Sequence, residues 1–254
     1  MKIAMIGQKG MPARFGGVEQ HVHELSVRLV ARGHEVVVYN RAWYGPATTS
    51  IAGVTLVQLP SIHTKHLDTI THTLLSTIHA MRARVDMIHY HGVGPALLSW
   101  LPRLFSPRVT VVTTFHSIDR KHEKWGPLAR FILRLGEWSA CRFAHRTIAV
   151  SRTIAQYARD RYDAQASYIP NAVPLYQKSD RHDHLDALGI KPSRYILMIS
   201  RLIPHKGAHY LIDAYTLLKQ RQPDLARDTQ LVIVGDGHYT EEYVKMIREK
   251  ARPH

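Results

Sequence analysis

The run Arg201-Leu202-Ile203-Pro204-His205-Lys206-Gly207 decides the reading of this chain. Before it stands Tyr195-Ile196-Leu197-Met198-Ile199, an unbroken apolar run of the length of a buried strand. After it comes Tyr210-Leu211-Ile212-Asp213-Ala214-Tyr215-Thr216-Leu217-Leu218, which has the period of an amphipathic helix. Arg201 and Lys206 are thus delivered to a strand-to-helix turn, with Gly207 allowing close backbone approach. A helix N-terminus already offers free N–H groups and a partial positive charge, so two added cations make a site for a diphosphate. The next apolar run, residues 230–234, leads into Gly235-Asp236-Gly237. Such a turn suits a planar base or a ribose lying beside it.

Working back toward the N-terminus, short apolar runs alternate with helix-period segments. Strands are predicted at residues 3–6, 35–39, 54–59, 87–90, 109–113, 147–150 and 167–169, and helices at 18–31, 67–82, 95–105, 128–144 and 152–162. The first helix is the clearest, with Val18, Val22, Leu25, Leu29 and Val30 on one face and Gly33 just beyond its end. This alternation predicts an α/β fold with a parallel sheet covered on both faces. The pattern pauses over residues 171–193, which hold Pro174, Gly189, Pro192 and a polar run from Gln177 to His184. The expected organisation is a complete Rossmann-like domain over 1–173, a linker over 174–193 with a short helix near 185–188, and a partial second Rossmann-like domain over 194–254. Two strands are few for a doubly wound sheet, and the second domain reads as cut short.

The 254 residues carry 34 Lys and Arg against 20 Asp and Glu, a net charge of +14, with 18 histidines besides. Such an excess favours anionic partners. No zinc-finger or RNA-recognition signature accompanies it and the basic residues are dispersed, so nucleic acid is not an expected partner. A cytoplasmic protein resting on the inner face of an anionic plasma membrane fits better. Cys141 is the one cysteine, so no internal disulfide forms and a reducing compartment is the default. No apolar run reaches the ~18 residues of a membrane span.

Candidate site residues fall at predicted strand ends. The loop Gly7-Gln8-Lys9-Gly10-Met11-Pro12-Ala13-Arg14-Phe15-Gly16-Gly17 joins the first strand to the first helix. It is glycine-rich without being G-x-G-x-x-G, and Tyr39-Asn40-Arg41 ends the second strand without a ribose-holding carboxylate. Both features argue against a dinucleotide cofactor. Bare backbone at Gly16 and Gly17 could approach a phosphate or sugar oxygen, and Glu19 follows in the first helical turn. His89, His91 and His116 sit at strand ends, where imidazole can position a hydroxyl or take a proton. His89-x-His91 has a metal-ligand spacing but no evident third ligand, and no metal is expected. Ser151 reads as a helix N-cap with a possible place in the cleft, and Asn171 opens the linker. There is no D-x-D for a divalent ion on a diphosphate, so Arg201 and Lys206 would neutralise that charge themselves. No P-loop, G-x-S-x-G elbow or H-E-x-x-H helix occurs, and no cofactor is expected.

Together the Gly16-Gly17 loop, Thr114-Phe115-His116, Ala149-Val150-Ser151, Ile169-Pro170-Asn171-Ala172-Val173, Arg201 through Lys206-Gly207, and Val234-Gly235-Asp236-Gly237 resemble the retaining GT-B glycosyltransferases of family 4. Residues 1–18 with Gly-Gly-Val-Glu look closest to the bacterial rhamnosyltransferase-like group that builds cell-surface polysaccharide. The resemblance implies two Rossmann-like domains with a nucleotide-sugar in the cleft and a glycan or lipid-linked acceptor on the first domain. Arg201 and Lys206, with backbone at Gly16 and Gly17, would hold the donor diphosphate. His116 would contact the donor sugar as the catalytic residue, and Gly235, Asp236 and Gly237 would lie near the base. Lys9, Arg14, Arg120 and Lys121 are placed by charge alone at a lipid-linked diphosphate acceptor. The family's later E-x7-E glutamate pair has no match after Gly237; Glu242 and Glu249 lie in an ordinary charged helix. A truncated transferase, of little activity alone, is the expectation. The rivals are a nucleotide-sugar epimerase on the same fold and a non-catalytic module binding acceptor or membrane.

Overall fold

The structure is a computed structural model, described here for residues 1–45, 48–64, 67–121, 125–172, 183–237 and 240–252. The chain divides into two compact units, Met1–Pro174 and Leu175–His254. The expected linker lies outside the described residues as far as position 182.

The first unit runs β1 (Lys2–Ile6), α1 (Gly17–Ala31), β2 (Glu35–Arg41), β3 (Ser50–Ile51), β4 (Val54–Leu59), α2 (Asp68–Arg82), β5 (Met87–His91), α3 (Val93–Ala96), α4 (Trp100–Phe105), β6 (Thr110–Phe115), a 3-10 turn (Asp119–Lys121), α5 (Pro127–Arg142), β7 (Arg146–Ala149), α6 (Arg152–Tyr162) and β8 (Ser167–Tyr168). Its eight strands lie in the order β3-β4-β2-β1-β5-β6-β7-β8. All neighbours pair in parallel except β3 with β4. The order reverses direction at β1 and β5. In open α/β sheets ligands bind outside the strand carboxyl ends at such a reversal.

Strand alternation builds the core on both sheet faces. Ile3, Met5, Val36 and Val38 pack under Val22 of α1 on one face. Ala4, Ile6, Val37, Tyr39, Ile88 and Tyr90 pack under Ala80, Val93, Ala96 and Ala140 on the other. The strands read as continuous apolar runs because both faces are covered. One predicted helix is corrected: residues 95–105 form no single helix but two short ones, α3 and α4. Leu97, Leu98 and Ser99 donate to the carbonyls three residues back, and Pro102 has no N–H to continue an α-helical ladder through this point.

The second unit holds α7 (Asp183–Ala187), β9 (Tyr195–Ile199), a 3-10 turn (Pro204–Lys206), α8 (Ala208–Arg221), α9 (Pro223–Arg227), β10 (Gln230–Val234) and α10 (Glu241–Ala251). β9 and β10 form a two-stranded parallel sheet in register from Tyr195–Gln230 to Ile199–Val234. Met198, Leu231 and Ile233 face a small core of Leu202, Ala208, Ile212 and Ile247. The alternate residues Leu197, Ile199 and Val234 remain exposed. Among the described residues no helix is long and apolar enough to cross a membrane.

Candidate functional site

In the first unit the loop after β1 is braced rather than slack. Gln8 is buried and its amide donates to the carbonyls of Met5 (3.1 Å) and Tyr39 (3.0 Å), tying the end of β1 to the end of β2. Asn40 accepts from Met11 N–H (2.9 Å) and donates to Met11 O (2.7 Å). Glu19, buried in the first turn of α1, accepts from Lys9 N–H at 3.1 Å. Glu19 therefore holds the loop against the helix, and Asn40 does structural work where a nucleotide-binding fold would carry an acidic residue. Gly16 is the N-cap of α1, with no side-chain cap, and both Gly16 and Gly17 are exposed. At Gly7 (φ +121°) an added Cβ would stand 2.5 Å from the His91 carbonyl, so only glycine lets the ends of β1 and β5 meet this closely.

That meeting point gathers imidazoles. His91 is the last residue of β5, His116 follows β6, and His21 projects from α1. His91 Nδ1 lies 3.3 Å from His116 Nε2, while His91 Nε2 faces Met5 Sδ at 3.5 Å. The His21 ring stands edge-on to His116 and His91, with centroids 5.1 and 5.6 Å away. His89 packs behind His91, and its Nε2 is engaged by Thr114 Oγ1 at 2.7 Å. Burial keeps these rings uncharged at neutral pH. It brings His116 down to about 4 and His89 to about 3, with neighbouring histidines adding to the shift. It also lowers His91 and His21. The cluster therefore offers nitrogen lone pairs and N–H donors to a hydroxyl-rich ligand, not positive charge. His89, His91 and His116 stand out in the sequence at predicted strand ends, whereas His21 does not. Its only signal was its place early in the helix that starts at this sheet edge.

Ser151 caps α6, accepting from Ile154 N–H at 3.1 Å, and Asn171 is exposed beyond β8. Val173 of the matching motif lies outside the described residues. The placement of Arg120 at an acceptor phosphate is corrected. Its guanidinium is bound to the buried Glu137 carboxylate (3.1 Å) and to Tyr157 Oη (2.7 and 3.0 Å). Lys9 Nζ lies over the Phe15 ring at 4.7 Å, whereas Arg14 and Lys121 are exposed.

In the second unit Arg201 lies just past β9 and Lys206 ends the 3-10 turn, with Gly207 (φ 78°) capping α8. Buried Leu202 and Ile203 anchor the segment while Arg201 and Lys206 stay exposed. Neither charged group has a partner among the described residues. Ser200 N–H donates to Val234 O (3.0 Å), Leu202 N–H to Asp236 O (2.9 Å), and Thr240 Oγ1 to Leu202 O (2.8 Å). The cationic segment and Gly235-Asp236-Gly237 are thus laced together at one edge of the two-stranded sheet. An added Cβ at Gly235 would stand 1.8 Å from Ser200 O, so this lacing requires glycine. Asp236 accepts from Gly237 N–H at 2.7 Å.

The model of Glycosyltransferase Family 4 matches residues 15–177, and that of Glycosyl transferases group 1 matches residues 180–252. The chain belongs to Glycosyltransferase Family 4. It is 24% identical to the glycogen synthase of Mycobacterium tuberculosis, over 98% of this chain and 65% of that protein. It is 27% identical to the GDP-mannose-dependent alpha-(1-6)-phosphatidylinositol monomannoside mannosyltransferase of Mycolicibacterium smegmatis, over 92% of this chain and 61% of that protein. The chain therefore spans a little under two thirds of these relatives. The structure of Anabaena HepE in complex with UDP and glucose matches with a TM-score of 0.72 at 22% identity, over 100% of this chain and 66% of that one. The α/β architecture of this family 4 chain is that of GT-B glycosyltransferases.

Proposed function

We propose that this chain carries sugar-transfer machinery that takes a nucleoside-diphosphate sugar as donor and a glycan or lipid-linked acceptor, with retention at the anomeric carbon, in cell-surface polysaccharide synthesis. The observation that carries this reading is the pair of exposed cations Arg201 and Lys206, without partners among the described residues, on a segment fixed at the carboxyl end of β9. A guanidinium can bind a diphosphate oxygen pair in a fork while the ammonium acts as a point charge, and both hold a departing diphosphate without a carboxylate-bound metal ion. The Gly235-Asp236-Gly237 turn, laced to the same segment, takes the nucleoside. Backbone at Gly16 and Gly17 approaches the phosphates, and His116 contacts the donor sugar. No dinucleotide or other cofactor takes part. The mycobacterial relative that is named for GDP-mannose and a phosphatidylinositol acceptor supports this substrate class. Calorimetric titration with a panel of nucleoside diphosphates tests it. Charged hydrogen bonds are worth ~1.5–3 kcal/mol, so Arg201→Ala or Lys206→Ala should each weaken affinity about tenfold to a hundredfold. Unchanged affinity in both variants refutes the placement. Anomeric configuration read by NMR on the product tests retention, and donor conversion without acceptor would point instead to an epimerase.

The lipid-linked acceptor and a peripheral place on the inner face of an anionic membrane find support in α5. Leu128, Phe131, Ile132, Leu135 and Trp138 recur at helical spacing and are all exposed, Leu128 by 74%. Arg130, Arg134 and Arg142 are exposed on the same helix, whose one acidic residue, Glu137, is buried. An apolar stripe flanked by arginines suits an anionic bilayer surface.

A further inference from the structure

The histidine cluster has a property that the transfer reading does not use. One ring nitrogen from each of His21, His91 and His116 lies within 4.8 Å of the other two. Three protein nitrogens around a tetrahedral zinc ion, bonded at ~2.0–2.1 Å, stand ~3.3–3.4 Å apart. His91 Nδ1 and His116 Nε2 already stand 3.3 Å apart. The two rings share a hydrogen bond at this distance, and a cation can take the place of the shared proton without moving them apart. His91 Nε2 faces Met5 Sδ, and the tautomer that donates its N–H to that sulfur leaves Nδ1 bare on the side of His116. His21 has the slack to complete the set: it is half-buried on α1, with its ring edge-on to the other two. His89 is not a ligand, because its Nε2 is held by Thr114. Of the pair His89-x-His91 only His91 belongs to the set, the other two nitrogens come from α1 and from the residue after β6, and a metal here departs from the expectation of none drawn from sequence.

We propose that His21, His91 and His116 form a binding site for one borderline transition-metal dication, of which zinc is the type. Three neutral imidazoles and no carboxylate select Zn²⁺, Co²⁺, Ni²⁺ or Cu²⁺ over Mg²⁺ and Ca²⁺, which demand oxygen ligands. His21 and His116 are only half-buried, so the fourth position opens to solvent and takes water or a small anion. Where His116 also touches the donor sugar as proposed above, metal and donor exclude each other, and the site makes transfer sensitive to zinc. Metal binding itself does not depend on that reading.

The test is cobalt titration of the whole chain, purified without an affinity tag and stripped with chelator, followed by visible absorption and calorimetry. Saturation at one Co²⁺ per chain with the intense bands of tetrahedral coordination, displaced by Zn²⁺, is the expected result. Loss of one ligand should weaken binding about 100-fold, since even outer-shell changes cost about 10–100-fold. His21→Ala is the decisive variant, because it alters a half-buried helix position. His116→Ala should do the same, and His63→Ala, at an exposed position, should change nothing. Absence of tetrahedral bands in the native chain, or bands of equal affinity in His21→Ala and His116→Ala, overturns the proposal. Donor affinity measured on the same samples reads the transfer hypothesis separately, since cobalt binding can stand or fall without it.

Discussion

Lowering the pH should destabilise the first unit, and His72 is the residue in which this can be measured cleanly. Its ring is fully buried on α2, outside the histidine cluster. Burial pushes its pKa from 6.5 to about 4, with Arg41 nearby also lowering it and Asn40 and Asp68 partly offsetting the effect. In the unfolded chain the ring takes a proton near pH 6.5, while in the folded chain it stays neutral down to about 4. The unfolded state therefore binds more protons throughout that window, and stability falls as the pH drops through it, by up to ~1.4 kcal/mol per unit. Its contribution is fully present above pH 6.5 and lost by about pH 4. Between pH 7 and pH 5 the loss from this one ring is about 2 kcal/mol. His72→Leu, of similar volume and without a proton to take, should remove that part of the slope. All four tryptophans, Trp43, Trp100, Trp125 and Trp138, belong to the first unit, so tryptophan fluorescence in urea reports on that unit. The buried histidines of the cluster add their own acid sensitivity, which makes the difference between native and variant slopes the relevant quantity. Equal slopes from pH 7 to pH 5 would show that burial does not hold the ring neutral in the folded chain.

Three further outcomes follow from single contacts. Gly235→Ala forces a Cβ to within 1.8 Å of the Ser200 carbonyl, so it should destabilise the second unit by about 2 kcal/mol or more and abolish nucleoside diphosphate binding, checked by circular dichroism and calorimetry. Glu137→Leu strips Arg120, Tyr157 and Tyr162 of a shared buried acceptor. Since Arg120 is 28% exposed, the cost should fall at the low end of the ~3–5 kcal/mol for a broken buried pair, read by urea denaturation followed with tryptophan fluorescence. Phe131→Ser should release the chain from vesicles rich in anionic lipid. Arg130→Ala or Arg134→Ala should weaken binding by about 1 kcal/mol each, and co-sedimentation that is equal for neutral and anionic vesicles would discount the α5 face.

Much of the architecture was legible because its rules are local. β4, α6, β9 and β10 have the bounds that their apolar runs and helical period predict, although β9 and β10 bury only one face and not the two that their unbroken apolar runs suggest. Elements set by other means escaped. β3 has two residues and exists only by pairing with β4, and α9 interrupts a connection that carries no periodic signal. The division of residues 95–105 turned on one missing N–H at Pro102, which periodicity does not register.

The candidate site divides along the same line. Arg201, Lys206 and Gly235–Gly237 could be placed at strand ends from sequence order alone, because chemistry, turn and flanking strand are contiguous in the chain. The partners of a side chain are not. That Arg120 is consumed by Glu137, that Asn40 braces the loop after β1, and that His21 meets His91 and His116 are contacts across 17 to 95 residues of sequence. Pattern reads which face an atom lies on, a property of one element. Which atoms share a space depends on the packing of several elements at once, and only the folded sheet with its crossing helices decides that.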